Sequence, residues 1–271
     1  MPVNQELVSR LQGLSKERYI NDELRYFFCN EKMLSTVVPT IAEKRAQAPG
    51  GIGLIIGTGG IFSLLPSLDL EGVIMVDKNP SVLRFSRFLA DTIREAQTPL
   101  EVEEAVTSFT ETDYFTQWMQ NRTFSIATRD VSSRRHFAIY LERTLDSEKR
   151  YFADVHWSNP DRFREAQETL QHTPIIFINA DLNDSTFTGS VADILGTYNA
   201  PLSYVNLTNA HVHPWKVSLE ALDMLPITDQ TTIQYSDYYD PTGKTIEQLH
   251  MMIAPSLAEY KQLVRNKGKI K

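Results

Sequence analysis

The feature that most constrains the fold is a repeated alternation of short apolar runs with segments of helical spacing, which begins after residue 51. Apolar runs without polar alternation are typical of parallel strands that helices cover on both faces. Five runs and a weaker sixth have this character: Ile52–Ile56, Val73–Val76, Ile175–Asn179, Leu202–Leu207, Thr231–Tyr235 and His250–Ala254. The pattern predicts an α/β fold, a Rossmann-like doubly wound, mostly parallel sheet with helices on both faces.

Helical segments are predicted before the sheet and inside it. Apolar residues recur at helical spacing over residues 3–47, until the run Ala48-Pro49-Gly50-Gly51 ends them. About a hundred residues separate the second and third strands, far more than one crossover helix needs. The helical patterns in this interval are Ser81–Gln97, Leu100–Phe109, Phe137–Leu145 and Arg162–Leu170. We therefore expect one domain over residues 1–271, with an N-terminal helical region at 1–48 and a helical insert at 97–172.

Charge and cysteine content restrict the partners and the compartment. The chain has 271 residues, with 27 Lys and Arg against 34 Asp and Glu, so its formal charge is −7. This balance disfavours a nucleic acid as substrate and favours a small molecule or a protein. A single cysteine excludes an intrachain disulfide, and no secretory signal or membrane-spanning run is seen. We expect a cytoplasmic protein, and the sequence leaves its oligomeric state open.

A glycine-rich turn joins the first predicted strand to the following helix. Gly57-Thr58-Gly59-Gly60 follows the apolar run and precedes Ile61–Leu65. Glycines in such a turn permit positive φ and let a ligand approach the backbone. Asp77 ends the second strand, 20 residues after Gly57. In a βαβ nucleotide site, an acidic side chain at this position accepts hydrogen bonds from the ribose hydroxyls.

The third predicted strand also ends in polar residues. Asp181 follows Ile175–Asn179, and its carboxylate is suited to accept the exocyclic amine of an adenine. Open α/β sheets bind ligands at the carboxyl ends of their strands, so these groups are expected at one edge of the sheet.

These residues resemble the class I S-adenosylmethionine-dependent methyltransferase family. The matching segments are LIIGTGG (54–60), VIMVDKNP (73–80), FINADLND (177–184) and YVNLTNAHVH (204–213). The resemblance implies S-adenosylmethionine as the cofactor and a methyltransferase activity. It also implies that the glycine loop, through Gly57 and Gly59, lies under the methionine part of the cofactor. By the same resemblance Asp77 holds the ribose, Asp181 reads the adenine, and Asn209 faces the reaction centre.

Two positions depart from the family pattern. Ile55 and Ile61 stand where the family usually has an acidic residue and a third glycine. Another contact to the ammonium group of the cofactor is therefore expected, and Tyr26 is the candidate. Other candidate cofactor contacts, adjacent to the matched residues, are Thr58, Lys78 and Leu182.

Polar residues crowd the end of the fourth predicted strand, where a transferase needs groups that orient a nucleophile or remove its proton. Asn209, His211 and His213 are the candidate catalytic residues. No H-E-x-x-H pattern and no cysteine pair accompanies the two histidines, so no metal site is predicted.

Three alternatives stay open at this stage. The Asp77-Lys78-Asn79-Pro80 segment and the long helix after it also resemble enzymes that transfer the 3-amino-3-carboxypropyl group of the same cofactor. A second alternative is a catalytically inactive binding module with this fold. The third is an NAD-dependent dehydrogenase, which Phe62 disfavours because the third glycine of G-x-G-x-x-G would fall at position 62.

Overall fold

A computed structural model of the chain describes residues 3–16, 34–57, 60–109, 133–207, 218–238, 249–254 and 256–267. The strands are β1 (Ile52–Ile56), β2 (Gly72–Asp77), β3 (Ile175–Asn179), β4 (Leu202–Asn206), β5 (Ile227–Tyr238) and β6 (Leu249–Ala254). The helices before β3 are α1 (Gln5–Gln12), α2 (Leu34–Gln47), α3 (Ile61–Leu64), α4 (Pro80–Glu95), α5 (Pro99–Ser108), α6 (Ser133–Phe152) and α7 (Pro160–His172). Those after β3 are α8 (Ser185–Thr197), α9 (Leu219–Met224) and α10 (Leu257–Lys267). Every predicted strand is present, and β1 and β3 have the predicted bounds.

The strands form one six-stranded sheet in the order β3-β2-β1-β4-β5-β6. All neighbouring pairs are parallel except β5 and β6, which are antiparallel. The predicted doubly wound, mostly parallel fold is thus confirmed. The chain moves outward from β1 to β3 and then returns to place β4 on the other side of β1. The carboxyl ends of β1 and β4 therefore flank the point at which the strand order reverses, where such sheets bind ligands.

Helices cover both faces of the sheet. Because side chains alternate along a strand, Ile55 and Met75 face one hydrophobic cluster, whereas Leu54 and Ile74 face the other. The buried residues of α5, α6 and α7, which lie between β2 and β3 in the chain, belong to the first cluster. The two N-terminal helices divide between the faces, since Leu7 of α1 packs in the second cluster and α2 packs in the first.

The loops at the strand ends are set by helix caps. The side chain of Asn79 accepts a hydrogen bond from the backbone N–H of Ser81, and Pro80 occupies the first turn of α4. Asn159 caps α7 in the same way, as its sequence predicts. Within the described part of the chain, no helix is both long enough and apolar enough to cross a bilayer.

Candidate cofactor site

The end of β1 lies directly against the acidic end of β2. Gly57 has φ +66°, and its N–H donates to the carbonyl of Val76 at 3.0 Å. A β-carbon at Gly57 would lie 3.3 Å from Oδ2 of Asp77. An L-residue would also be strained in this left-handed conformation by about 1–2 kcal/mol. Glycine is therefore the residue that lets the backbone after β1 approach the Asp77 carboxylate.

Asp77 is held by hydrogen bonds on both its side chain and its backbone. Its Oδ1 accepts from the backbone N–H of Asn79 at 2.7 Å. Its carbonyl accepts from Nδ2 of Asn179 at 2.9 Å and from the N–H of Ala180 at 3.2 Å. These bonds join the end of β2 to the end of β3, and the bond from Asn79 orients the Asp77 carboxylate.

A cavity of about 240 Å³ opens at the end of β3, and Asp181 lines it. Oδ1 of Asp181 accepts from the backbone N–H of Asn183 at 2.9 Å, and Oδ2 pairs with Nζ of Lys78 at 2.8 Å. The residues around the cavity are Lys16, Lys78, Asn179, Ala180, Asp181, Asn183 and Asp184. Pockets for whole drug-sized ligands usually measure about 300–1,000 Å³, so this cavity suits one part of a ligand, such as a base.

The structure brings together Gly57, Asp77, Lys78 and Asp181 of the predicted site residues. Leu182 lies next to them in the chain, but its side chain is 4% exposed and packs in the second hydrophobic cluster. Outside the described residues lie Tyr26, Thr58, Gly59, Asn209, His211 and His213, so their roles stay predictions.

The two departures from the family pattern are core residues. Ile55 and Ile61 are both fully buried, and both pack in the first hydrophobic cluster. Both positions are therefore used for apolar packing.

Five cavity residues were not predicted as site residues: Lys16, Asn179, Ala180, Asn183 and Asp184. The backbone N–H of Lys16 donates to the carbonyl of Asn179 at 2.9 Å, and its Nζ contacts Oδ2 of Asp184 at 2.5 Å. Asp184 belongs to the polar run after β3, which was the available sequence signal. Lys16 has no comparable signal, because its partner lies 168 residues further along the chain.

Asp184 gives the site a predicted pH dependence. The hydrogen bond from Lys16 lowers the pKa of the Asp184 carboxyl, and the N–H groups of Phe187 and Thr186 add to this effect against the opposing effect of burial. Its folded-state pKa is below the unfolded value of about 3.9, so its contribution to stability is full above about pH 4 and is lost as the pH falls through the folded pKa.

We expect the stability advantage of the wild type over Asp184→Asn to shrink on acidification. Asparagine keeps the helix cap of α8 but loses the ion pair with Lys16. Urea unfolding of both proteins at several pH values between about 6 and about 3 measures this difference. A difference that stays constant across the series would contradict the role given to the ion pair.

The helical insert is fastened to the helix that follows the glycine loop. The backbone N–H of Trp157 donates to Oγ of Ser63 in α3 at 3.1 Å, and both residues are buried. Close by, Nε2 of His156 lies 3.3 Å from Oε1 of Glu148, with both side chains buried. Nδ1 of His156 accepts from the N–H of Ser158, so Nε2 carries the proton toward Glu148. The insert is therefore bonded to α3, the helix that follows the glycine loop.

Two residues at the carboxyl edge of the sheet, Asn206 and Ser218, lie before and after residues 208–217 in the chain. Asn206, fully buried, pairs in register with Ile55 of β1. At the other end, the N–H of Ser218 donates to Oδ1 of the cavity residue Asn183 at 2.7 Å. Asn206 and Ser218, described residues before and after 208–217, thus both lie at the carboxyl edge of the sheet. In the described part of the chain, no cluster of three metal-ligating side chains is found.

The fold and the site together define an α/β protein with a polar cavity at the carboxyl ends of β2 and β3. No family model and no curated protein sequence matches the chain. Two solved structures of the rRNA methyltransferase AviRa from Streptomyces viridochromogenes are similar to it. The structure at 2.4 Å is 16% identical, covers 94% of each chain and has a TM-score of 0.38. The structure at 1.5 Å is 15% identical, covers 89% of this chain and 99% of that chain, and has a TM-score of 0.40. Identities of 15–16% and TM-scores of 0.38 and 0.40 do not establish an activity for this chain.

Proposed function

We propose that this protein is an S-adenosylmethionine-dependent transferase, with methyl transfer as its reaction. One observation carries the proposal: Gly57, Asp77 and Asp181 lie at the carboxyl ends of three adjacent strands, on one edge of the sheet. An adenosyl ligand that lies across the strand ends needs three groups in sequence. They are a backbone that it can approach closely, a hydrogen-bond acceptor for the ribose hydroxyls, and an acceptor for the exocyclic amine of the adenine. The three strand ends offer these groups in the same order.

The residues present fit the adenosyl part of the cofactor. The carboxylate of Asp77 is suited to accept the ribose hydroxyls, since it is oriented by Asn79 and faces the open backbone of Gly57. Asp181 is suited to accept the adenine amine from within the cavity. We assign binding of the methionine part of the cofactor to the glycine loop and to Tyr26.

The bound cofactor supplies an electrophilic carbon on a sulfonium ion. The protein then has to hold the acceptor in line with that carbon and remove a proton from it where the chemistry requires this. We assign these tasks to Asn209, His211 and His213, because Asn206 and Ser218, described residues before and after them in the chain, lie at the carboxyl edge of the sheet. With a formal charge of −7, the chain suits a small-molecule or protein acceptor.

A dehydrogenase is disfavoured by the helix after the glycine loop. In a dinucleotide-binding loop, the third glycine permits close packing of the helix on the strand. Phe62 occupies that position, is 3% exposed and packs in the first hydrophobic cluster. The bulky side chain of Phe62 fills the space that a glycine would leave for close packing of the helix on the strand.

Titration calorimetry with S-adenosylmethionine, S-adenosylhomocysteine and NADH tests the proposal. We expect heat from the two adenosyl ligands and none from NADH. Absence of heat from both adenosyl ligands, at protein concentrations above about 100 μM, would overturn the proposal.

Product analysis with candidate acceptors then separates the remaining activities. S-adenosylhomocysteine as the product indicates methyl transfer. Methylthioadenosine indicates transfer of the aminocarboxypropyl group, an activity that the Asn79-capped α4 after Asp77-Lys78 also suits. Binding without turnover of any acceptor indicates a binding module.

A further inference from the structure

We propose that Lys78 competes with the base of an adenosyl ligand: its ammonium group pairs with Asp181, the carboxylate assigned to the exocyclic amine of the adenine. The inference rests on the proposed function, because it concerns how the same site accepts its base. Nζ of Lys78 lies 2.8 Å from Oδ2 of Asp181, while Oδ1 of Asp181 accepts from Asn183. Each oxygen of the Asp181 carboxylate, which is suited to accept the adenine amine, therefore already has one contact within the protein.

Hydrogen bonds between the loops after β2 and β3 hold the backbone on both sides of this ion pair. Nδ2 of Asn179 donates to the carbonyls of Asp77 and Lys78 at 2.9 and 3.0 Å, and the N–H of Ala180 donates to Asp77 at 3.2 Å. These bonds hold the loops after β2 and β3 together whether or not the ion pair is formed. Lysine carries its charge on a flexible stem and can withdraw into solvent without any backbone change.

The second lysine of the cavity belongs to a pair that is joined to a helix cap. The backbone of Lys16 is bonded to Asn179, and its partner Asp184 caps α8 through bonds to Thr186 and Phe187. The Lys16–Asp184 pair thus belongs to the framework. Opening the Lys78–Asp181 pair, by contrast, breaks no helix cap.

Adenine and hypoxanthine differ in the group that they present to Lys78 and Asp181. The exocyclic amine of adenine is a donor and competes with the ammonium group for Asp181. Hypoxanthine has a carbonyl oxygen at that position, which accepts from Lys78 and is repelled by the carboxylate. Lys78 therefore weakens the binding of an adenine base and tolerates a hypoxanthine base, so its removal sharpens the preference for adenine.

Calorimetry with S-adenosylhomocysteine and S-inosylhomocysteine on Lys78→Met tests the inference. Because the pair is partly exposed, we expect S-adenosylhomocysteine to bind about two- to fivefold more tightly to the variant. S-inosylhomocysteine should gain nothing. The wild type should also bind S-adenosylhomocysteine more tightly as NaCl rises from about 0.05 to about 0.5 M, and the variant should lose this dependence.

A matched control lies in the helical insert. Lys149 and Glu103 form an ion pair of 2.7 Å whose side chains are 30% and 26% exposed, against 26% and 30% for Lys78 and Asp181. Lys149→Met should leave both affinities and their salt dependence unchanged. Equal or weaker binding of S-adenosylhomocysteine by Lys78→Met, with wild-type binding intact, would overturn the competition alone. If the wild type binds neither ligand, the proposed function fails and this inference fails with it.

Discussion

Replacing Arg45 with methionine is expected to lower the free energy of unfolding by about 3–4 kcal/mol. Arg45 is 1% exposed, and its guanidinium group donates to three backbone carbonyls. Nε bonds to Leu68 at 2.9 Å, one terminal nitrogen to Ser203 at 3.1 Å, and the other to Gly50 at 2.6 Å. One side chain of α2 thus ties together the approach to β1, the turn before β2 and the body of β4.

The size of this effect follows from what the substitution leaves behind. The three carbonyls belong to the main chain and stay in place, and each one that loses a buried partner costs about 1–3 kcal/mol. Burial lowers the pKa of the Arg45 guanidinium, and the carboxylate of Asp69 opposes that shift. Arginine nevertheless stays protonated in proteins, so all its donors remain available at any pH where the protein is folded.

Urea unfolding of wild type, Arg45→Met and Arg45→Lys measures this contribution. Lysine should recover little of the loss, because one ammonium group lacks the planar fork that reaches three carbonyls. Lys44→Met is the matched control, since the neighbouring Lys44 makes, among the contacts described for it, a single one of 3.4 Å to the carbonyl of Ala254. A loss below about 1 kcal/mol for Arg45→Met would show that water replaces the missing donors.

Asp77→Asn is expected to weaken the binding of S-adenosylhomocysteine by about 10- to 100-fold. The carboxylate is the group assigned to the ribose hydroxyls, and hydrogen bonds to a charged acceptor contribute more than neutral ones. Asparagine can still accept from the N–H of Asn79, which holds the side chain in its present orientation. The loop should therefore keep its shape while the ribose loses its charged acceptor.

Calorimetry on Asp77→Asn, with thermal unfolding as a check of the fold, measures the effect. Asp91→Asn is the control, because Asp91 is 53% exposed on α4 and pairs only with the nearby Arg94 among the contacts described for it. Its affinity for the ligand should match the wild type. If Asp77→Asn binds as tightly as the control, the ribose is held elsewhere, and the assignment of the β2 end to it is wrong.

The fold could be predicted because its signals are local. The bounds of β1 and β3 follow from apolar runs, and the caps of α4 and α7 follow from Asn-Pro pairs. β5 is longer than its apolar core predicts, since residues 233–238 pair with the antiparallel β6 and Ile227 at its start pairs with Leu202 of β4. That extension depends on a partner strand, which an apolar run in one segment does not reveal.

The chemical groups of the site were also predictable, but their present partners were not. Asp77 and Asp181 were found because each follows an apolar strand, and strands of a parallel sheet end at the same edge. No local pattern indicates that Lys78 pairs with Asp181. The pairing requires β2 and β3 to be neighbours and Asn179 to join their loops, which are properties of the assembled sheet.

By itself, the sequence determined which residues stand at the strand ends, since hydrophobic periodicity and turn chemistry act over a few residues. Only the tertiary structure decided that Arg45 clamps three distant carbonyls, that Lys16 reaches Asp184 and that Lys78 holds Asp181. The physical reason is that lysine and arginine reach several ångströms on flexible stems, so their partners depend on which loops the sheet brings together.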